Sequence, residues 1–179
     1  MSHARIAIVG LALLAAACSS GKTTGEAQPG GTNESPASTS SAPAGDSKLA
    51  SVKPCELISA SEAGDLNIKS PEPRQSLGAE TCEWDGVGNG GLTIAVEPKQ
   101  GADSFNYEGA VKTPSKFGTY DGFVVPAPDK TVYACSVVIS ISKTSSVQII
   151  ASAGAATTDT AKACDMAKKS AAFAAGKLS

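Results

Sequence analysis

The sequence is poor in the side chains that most often carry catalysis and ligand recognition. Its one histidine is His3 and its one tryptophan is Trp84. Without a histidine beyond residue 3, the main part of the chain cannot build Ser-His-Asp or Cys-His catalysis or a His-ligated metal site. From residue 49 onward the only arginine is Arg74, and the lysines are scattered. A nucleic-acid surface needs clustered cations, so nucleic acid is not an expected partner.

Long hydrophobic runs are also missing, apart from one near the N-terminus. Residues 6–17 form an apolar run of 12 residues behind a short segment that carries His3 and Arg5. Such a run is too short to span a bilayer as a helix, but it suits the hydrophobic region of a secretory signal. Three alanines close the run and Cys18 follows them. We therefore predict that residues 1–17 are a signal peptide.

The end of this run resembles the lipobox of bacterial lipoproteins, with Leu14 one place earlier than usual. The resemblance implies that Cys18 is lipidated on sulfur and becomes the N-terminus of the mature protein. The first partner would then be the lipid bilayer, bound through this N-terminal acyl anchor on the extracytoplasmic face of the cell membrane. The alternative is an ordinary signal peptide cleaved nearby, which would leave Cys18 as a spare thiol.

Residues 18–48 are predicted to be the lipidated cysteine and a disordered tether. After Cys18 this segment contains Ser, Gly, Thr and Pro but no large apolar residue. A segment with nothing to bury cannot offset its ordering entropy, and a coil of this length spans on the order of 30 Å. Residues 49–179 have the length and composition of one globular domain.

Four cysteines lie in the predicted domain, at Cys55, Cys82, Cys135 and Cys164. An even number in an exported chain predicts two disulfides. A zinc site would need short C-x-x-C spacing, and these cysteines are separated by 26, 52 and 28 residues. Sequence alone leaves three pairings open. The coarse fold favours a nested one, Cys55 with Cys164 and Cys82 with Cys135, because the inner two lie mid-strand and the outer two near terminal helices.

Hydrophobic periodicity predicts an α+β domain. The capping box of Ser59 and Glu62 begins a short helix at roughly 60–66, and Asp159 caps a final helix at roughly 160–175. A further short helix is predicted at 102–110, and Pro71 and Pro73 indicate a loop. Alternating apolar residues predict strands at 80–86, 92–97, 119–125, 132–141 and 147–152. Strands between terminal helices predict an antiparallel sheet with N- and C-terminal helices packed on one face and two disulfides.

Two motifs could indicate chemistry. Residues 86–91 match G-x-G-x-x-G, but a dinucleotide fingerprint requires a helix to follow, and here a strand is predicted. Asn89-Gly90 favours a hairpin instead, so no cofactor is expected. Glu83 and Asp85 share a strand face, with Glu80 and Glu97 near. Paired carboxylates can carry acid–base chemistry or bind Ca²⁺, but a solvated strand face is the simpler interpretation, and we assign no catalytic or metal-binding residue.

The order of these features resembles a known family. Pro54-Cys55-Glu56-Leu57-Ile58 before a capped helix, Cys82-Glu83-Trp84 on a strand, Cys135 in a Val/Ile strand and Cys164 in an Ala/Lys helix are similar to domain-of-unknown-function family 3558. The resemblance covers about residues 50–175. It implies an exported and lipid-anchored actinobacterial protein of the cell envelope, and it supplies no catalytic residue.

Two classes of function remain. The first is a membrane-anchored, non-catalytic binding or interaction module that contacts an envelope protein or a small ligand. The second is a hydrolase or other enzyme that works without histidine, through carboxylates. The lack of a nucleophile-and-base motif favours the first. A pocket lined by two buried carboxylates would favour the second.

Overall fold

The computed structural model describes residues 48–76 and 78–178, all of which belong to one compact unit. The predicted signal peptide, Cys18 and the tether up to residue 47 lie outside the described residues. Within the two described ranges, no helix combines the length and the hydrophobicity that a membrane crossing requires.

Seven antiparallel strands of the described chain form one sheet. They are β1 (Ile68–Ser76), β2 (Ala79–Gly86), β3 (Gly91–Glu97), β4 (Thr113–Phe117), β5 (Tyr120–Pro126), β6 (Ala134–Ser142) and β7 (Ser145–Ser152). Their order across the sheet is β1-β2-β3-β7-β6-β5-β4. Two meanders, β1 to β3 and β4 to β7, therefore join along the β3–β7 ladder. Two α-helices complete the domain, α1 (Ala60–Leu66) and α2 (Thr160–Lys177).

Both edge strands contain proline, and neither was expected from the sequence. The loop predicted at Pro71 and Pro73 is wrong, because these residues belong to β1. Pro114 lies in β4, on the opposite edge. Proline cannot donate a ladder hydrogen bond, so a sheet tolerates it where one side of the strand has no neighbour. The same prolines discourage another chain from pairing with either edge.

The main core lies between one face of the sheet and both helices. The sheet contributes fully buried valines and isoleucines, and α2 packs a stripe of small residues against them. These helix residues are Ala163, Ala167, Ser170, Ala171 and Ala174. Small side chains let the helix lie close to the sheet, and Met166 on the same helix is only partly buried. Trp84 is 3 % exposed in the same core, so it is a packing residue.

Helix α1 begins at the predicted capping box. The Ser59 side chain accepts from the Glu62 backbone, and the Glu62 carboxylate accepts from the Ser59 backbone at 2.7 Å. Lys177, at the end of α2, donates to the same carboxylate and thereby ties the two helices together. Burial by itself would raise the pKa of Glu62, but the hydrogen bonds from Lys177 and Ser59 and the Lys177 charge together lower it.

The two disulfides are present, but the nested pairing is wrong. The structure joins Cys55 to Cys82 and Cys135 to Cys164, with Cα–Cα distances of 5.1 and 4.9 Å. Strands β2 and β6 are separated by β3 and β7, so Cys82 and Cys135 lie roughly 14 Å apart at the usual strand spacing. That is twice the distance that a disulfide can bridge.

Each strand cysteine instead pairs with the element above it. Cys82 faces the 3₁₀ turn Pro54–Leu57, which carries Cys55, and Cys135 faces α2, which carries Cys164. One bond therefore fastens the chain just before α1 to β2, and the other fastens α2 to β6. The helical layer is covalently held to the sheet at two points.

The glycine-rich segment between β2 and β3 is a hairpin connection, as predicted. A 3₁₀ turn occupies Val87–Asn89, with positive φ at Gly88 (69°) and Asn89 (60°). A Cβ on Gly90 would lie 2.5 Å from the carbonyl oxygen of Ser152, so this position requires glycine. A strand follows the turn, where a dinucleotide site would need the N-terminus of a helix.

Candidate functional site

The second face of the sheet is only half covered. Residues 101–112, here called the covering loop, lie over β5 and β6 and close a small core of Ala102, Phe123, Val125 and Val138. The helix predicted at 102–110 is wrong, because only a 3₁₀ turn forms, at Ala102–Ser104. The loop contributes partly buried apolar side chains rather than a continuous helical stripe.

Tyr107 fastens the covering loop to the sheet. Its hydroxyl lies 2.8 Å from Ser136 Oγ and accepts a hydrogen bond from Gln148 Nε2 at 2.7 Å. The Lys112 ammonium lies 4.8 Å from the centroid of the Phe123 ring, a cation–π contact. Burial raises the pKa of Tyr107 despite the hydrogen bonds from Ser136 and Gln148. The phenol therefore stays protonated and serves as a fixed hydrogen-bonding link.

The rest of this face, over β1, β2, β3 and β7, carries no covering segment among the described residues. Strand register places two rows of side chains across it. One row runs from Thr81 through Ala95 to Gln148, and the other from Glu83 through Thr93 to Ile150. These residues line a groove of about 190 Å³, which we call the open-face groove. Its lining is mostly polar, in contrast to the aliphatic main core.

The predicted carboxylates are spread over the sheet rather than gathered into a pair. Glu83 lies in the open-face groove, where Arg74 Nε binds it at 2.8 Å. Asp85 is exposed near the end of β2. Glu80 points to the other face and forms an ion pair with Lys53 at 3.2 Å. Within the described parts of the chain, no three His, Cys, Asp or Glu side chains converge as a metal site would require.

Glu97 differs from the other predicted carboxylates. Its side chain is half-buried and forms no hydrogen bond or ion pair with a described residue. Burial raises its pKa above the ordinary value of 4.5. It lines both the open-face groove and a second recess. A cleft residue with a perturbed pKa is a functional candidate.

The second recess, here called the end cavity, has a volume of about 500 Å³. It lies where β3 ends and where β1 turns into β2. Its lining mixes apolar side chains with amides and charges and includes Leu49, Val52, Gln75, Val96, Pro98 and Gln100. A cavity of this size and mixed lining is typical of small-molecule sites.

Thr81 is the second unsatisfied group at the open-face groove. The residue is 4 % exposed, and its hydroxyl oxygen has no hydrogen-bond partner among the described residues. A buried polar atom without a partner is uncommon in folded proteins. Thr81 lies opposite Ala95 of β3, and Glu97 follows Ala95 by two residues on the same sheet face. The Cα atoms of Thr81 and Glu97 therefore lie about 7–8 Å apart.

The sequence identified part of this site. The sequence predicts Glu97 only as a neighbour of Glu83, and no motif indicates Thr81 or Gln148. The aromatic residues are divided between the two faces: Phe123 lies in the small core with Tyr107 packed against it, whereas Tyr120 packs against the main core. The alternation of apolar and polar residues along β2 and β3 is the sequence feature that indicates Thr81 and Glu97, because it places both on the face opposite the main core.

The fold and groove define a class: a disulfide-tied α+β domain with helices on one sheet face and a half-open second face. A family match over residues 13–177 shows which family this is, and the chain belongs to the family described as "Protein of unknown function (DUF3558)". The predicted family is thereby confirmed. No curated protein matches the chain, and no solved structure matches it.

Proposed function

We propose that this chain is a lipid-anchored protein on the extracytoplasmic face of the cell membrane, and that its domain binds an envelope protein or a small ligand without catalysing a reaction. One observation carries the binding part: Glu97 is a half-buried carboxylate without a partner among the described residues, and it lines two recesses. A charge partly removed from water without a counter-charge gains stability when a ligand supplies one.

The anchoring part of the proposal is supported by the sequence. The apolar run of residues 6–17 ends directly before Cys18, and a segment without large apolar residues follows up to residue 48. An acyl anchor on Cys18 would hold the domain near the membrane on a flexible tether. Confinement of this kind raises the local concentration of membrane partners, so modest affinity is sufficient.

An enzyme that uses carboxylates is the alternative function. A half-buried carboxylate with a raised pKa, such as Glu97, resembles a general acid or base. Acid–base hydrolysis usually takes a second group, and the nearby carboxylates of Glu83 and Glu80 are held in ion pairs by Arg74 and Lys53. Carboxylates that are already paired favour the binding proposal over the enzyme.

The anchor is tested by replacing Cys18 with serine in cells. The proposal expects the unaltered protein in the membrane fraction, with a lipid-modified N-terminal peptide that begins at Cys18 in mass spectrometry. It expects the Cys18→Ser protein to leave that fraction. Equal membrane association of the two proteins would contradict lipid anchoring.

The binding surface is tested by photo-crosslinking in cells. A photoreactive amino acid at Thr93 samples the open-face groove, and one at Ala172 samples the exposed side of α2. We expect a discrete adduct from the Thr93 position that is missing from the Ala172 position. Adducts of the same identity and yield at both positions, or no adduct at Thr93, would contradict a binding role for this face.

A further inference from the structure

We infer that the open-face groove and the end cavity bind a small aliphatic primary amine, whose ammonium group pairs with Glu97. This inference rests on the proposed binding function and adds to it the chemical class of the ligand. Three features carry it: an unpaired carboxylate, hydrogen-bond acceptors that line the same groove, and a cavity with a partly apolar lining that shares this carboxylate.

The first feature is the missing counter-charge of Glu97. Two cations lie near it, Arg74 on the same face and Lys99 in the end cavity. Arg74 binds Glu83 at 2.8 Å and Glu72 at 2.7 Å. Lys99 follows Glu97 by two residues, but it is exposed and forms no ion pair with it. The position therefore calls for a cation that the described residues do not provide.

The second feature is the set of neighbouring acceptors. The Gln148 amide nitrogen donates to Tyr107 and approaches Ser136 Oγ at 3.5 Å, so the amide oxygen is left without a hydrogen bond to a described residue. The Thr81 hydroxyl also lacks a partner, and Thr81 lines the groove. An ammonium group has three donors and no acceptor, which suits a site that offers acceptors.

Other ligand classes fit this site less well. An anion would meet the carboxylates of Glu83 and Glu97 in the same groove. Calcium takes six to eight oxygen ligands, and the carboxylates of the described residues do not converge in threes. The groove volume of about 190 Å³ accommodates a compact ammonium group. The ligand class that fits the site best is therefore a compact ammonium group on a narrow chain.

The third feature indicates what carries the ammonium group. The end cavity shares Glu97 with the groove and presents Leu49, Val52, Val96 and Pro98 among its walls. Methylene groups that leave the ammonium can bury apolar surface there, which is favourable in proportion to the area removed from water. An aliphatic amine therefore satisfies the charge at one end and the cavity at the other.

The test uses the purified full chain in detergent micelles and titrates it with n-pentylammonium chloride, followed by ¹H–¹⁵N NMR. We expect saturable shifts of the Thr81, Ala95 and Glu97 amides. Glu97→Gln should raise the Kd at least tenfold, because it keeps the shape and removes the charge. Glu108→Gln is the matched control, since Glu108 is an exposed glutamate on the covering loop and its loss changes the net charge equally. It should leave the Kd within twofold.

Two further measurements separate the possible outcomes. Thr81→Val should weaken pentylammonium binding at least threefold, and 1-pentanol should not produce the same shifts, because it lacks the charge. Unchanged affinity in Glu97→Gln, equal shifts with 1-pentanol, or no saturable shift would overturn the amine inference. If the Thr93 crosslink persists in that case, the binding function stands with a different ligand class. If both fail, the proposed function fails as well.

Discussion

Replacing Thr81 by valine is expected to stabilise this domain, although Thr81 lies at the proposed site. The side chain is 4 % exposed, and its hydroxyl has no hydrogen-bond partner among the described residues. In the unfolded chain the same hydroxyl binds water, so folding loses a hydrogen bond at this position. Valine has nearly the same shape and places a methyl group where the hydroxyl lies.

The expected magnitude follows from the cost of the unsatisfied hydroxyl. Leaving a buried donor or acceptor without a partner costs about 1–3 kcal/mol. Thr81→Val should recover part of this cost and raise the free energy of unfolding by about 1–2 kcal/mol. In a domain of this size, each 1 kcal/mol corresponds to a rise in Tm of about 4 °C.

Urea unfolding followed by Trp84 fluorescence measures this change, because Trp84 is the one tryptophan and is buried in the main core. Thr93→Val is the matched control. Thr93 lies on the same face in the neighbouring strand but is half-exposed, so water satisfies its hydroxyl and the change should stay within about 0.5 kcal/mol. If Thr81→Val lowers the free energy of unfolding instead, its hydroxyl has a partner and the reasoning is wrong.

Two further predictions concern the disulfides and the pH dependence of stability. Replacing both Cys135 and Cys164 by alanine should lower the free energy of unfolding by roughly 3–4 kcal/mol, the chain-entropy value for residues 29 apart. Non-reducing peptide mapping should find these two cysteines linked, and any other pairing would contradict the structure. Because burial raises the pKa of Glu97, its ionised form costs stability above that pKa and the cost disappears as the pH falls through it. Glu97→Gln should therefore stabilise the protein at neutral pH and lose this advantage below about pH 4.5. Glu83 in the groove and Glu80 and Lys99 in the end cavity are the other charges near Glu97.

Local signals in the sequence predicted the central part of the fold. Strict alternation identified β3, β6 and β7, because each buries one face in the main core. The capping residues Ser59 and Asp159 gave the starts of both helices, and the structure begins α1 at Ala60 and α2 at Thr160. These features depend on residues only a few positions apart, so the sequence carries them directly.

Strand order and edge strands could not be obtained in the same way. Strand β1 exposes nearly all of its residues, so it has no hydrophobic alternation to detect. Cys82 lies on β2 and Cys135 lies on β6, and the strand order places both β3 and β7 between them. The disulfide pairing depends on that order, which is why reasoning from mid-strand position alone gave the wrong partners.

The candidate site illustrates a further limit of local patterns. Each residue of β2 and β3 could be assigned to a face, and this placed Thr81 and Glu97 together on the side away from the main core. What the pattern could not give was that Arg74 would be bound by Glu72 and Glu83, leaving Glu97 alone. Whether a carboxylate has a counter-charge depends on which cations the folded sheet brings near it. Because Glu97 has none among the described residues, this polar strand face can bind a ligand that supplies one.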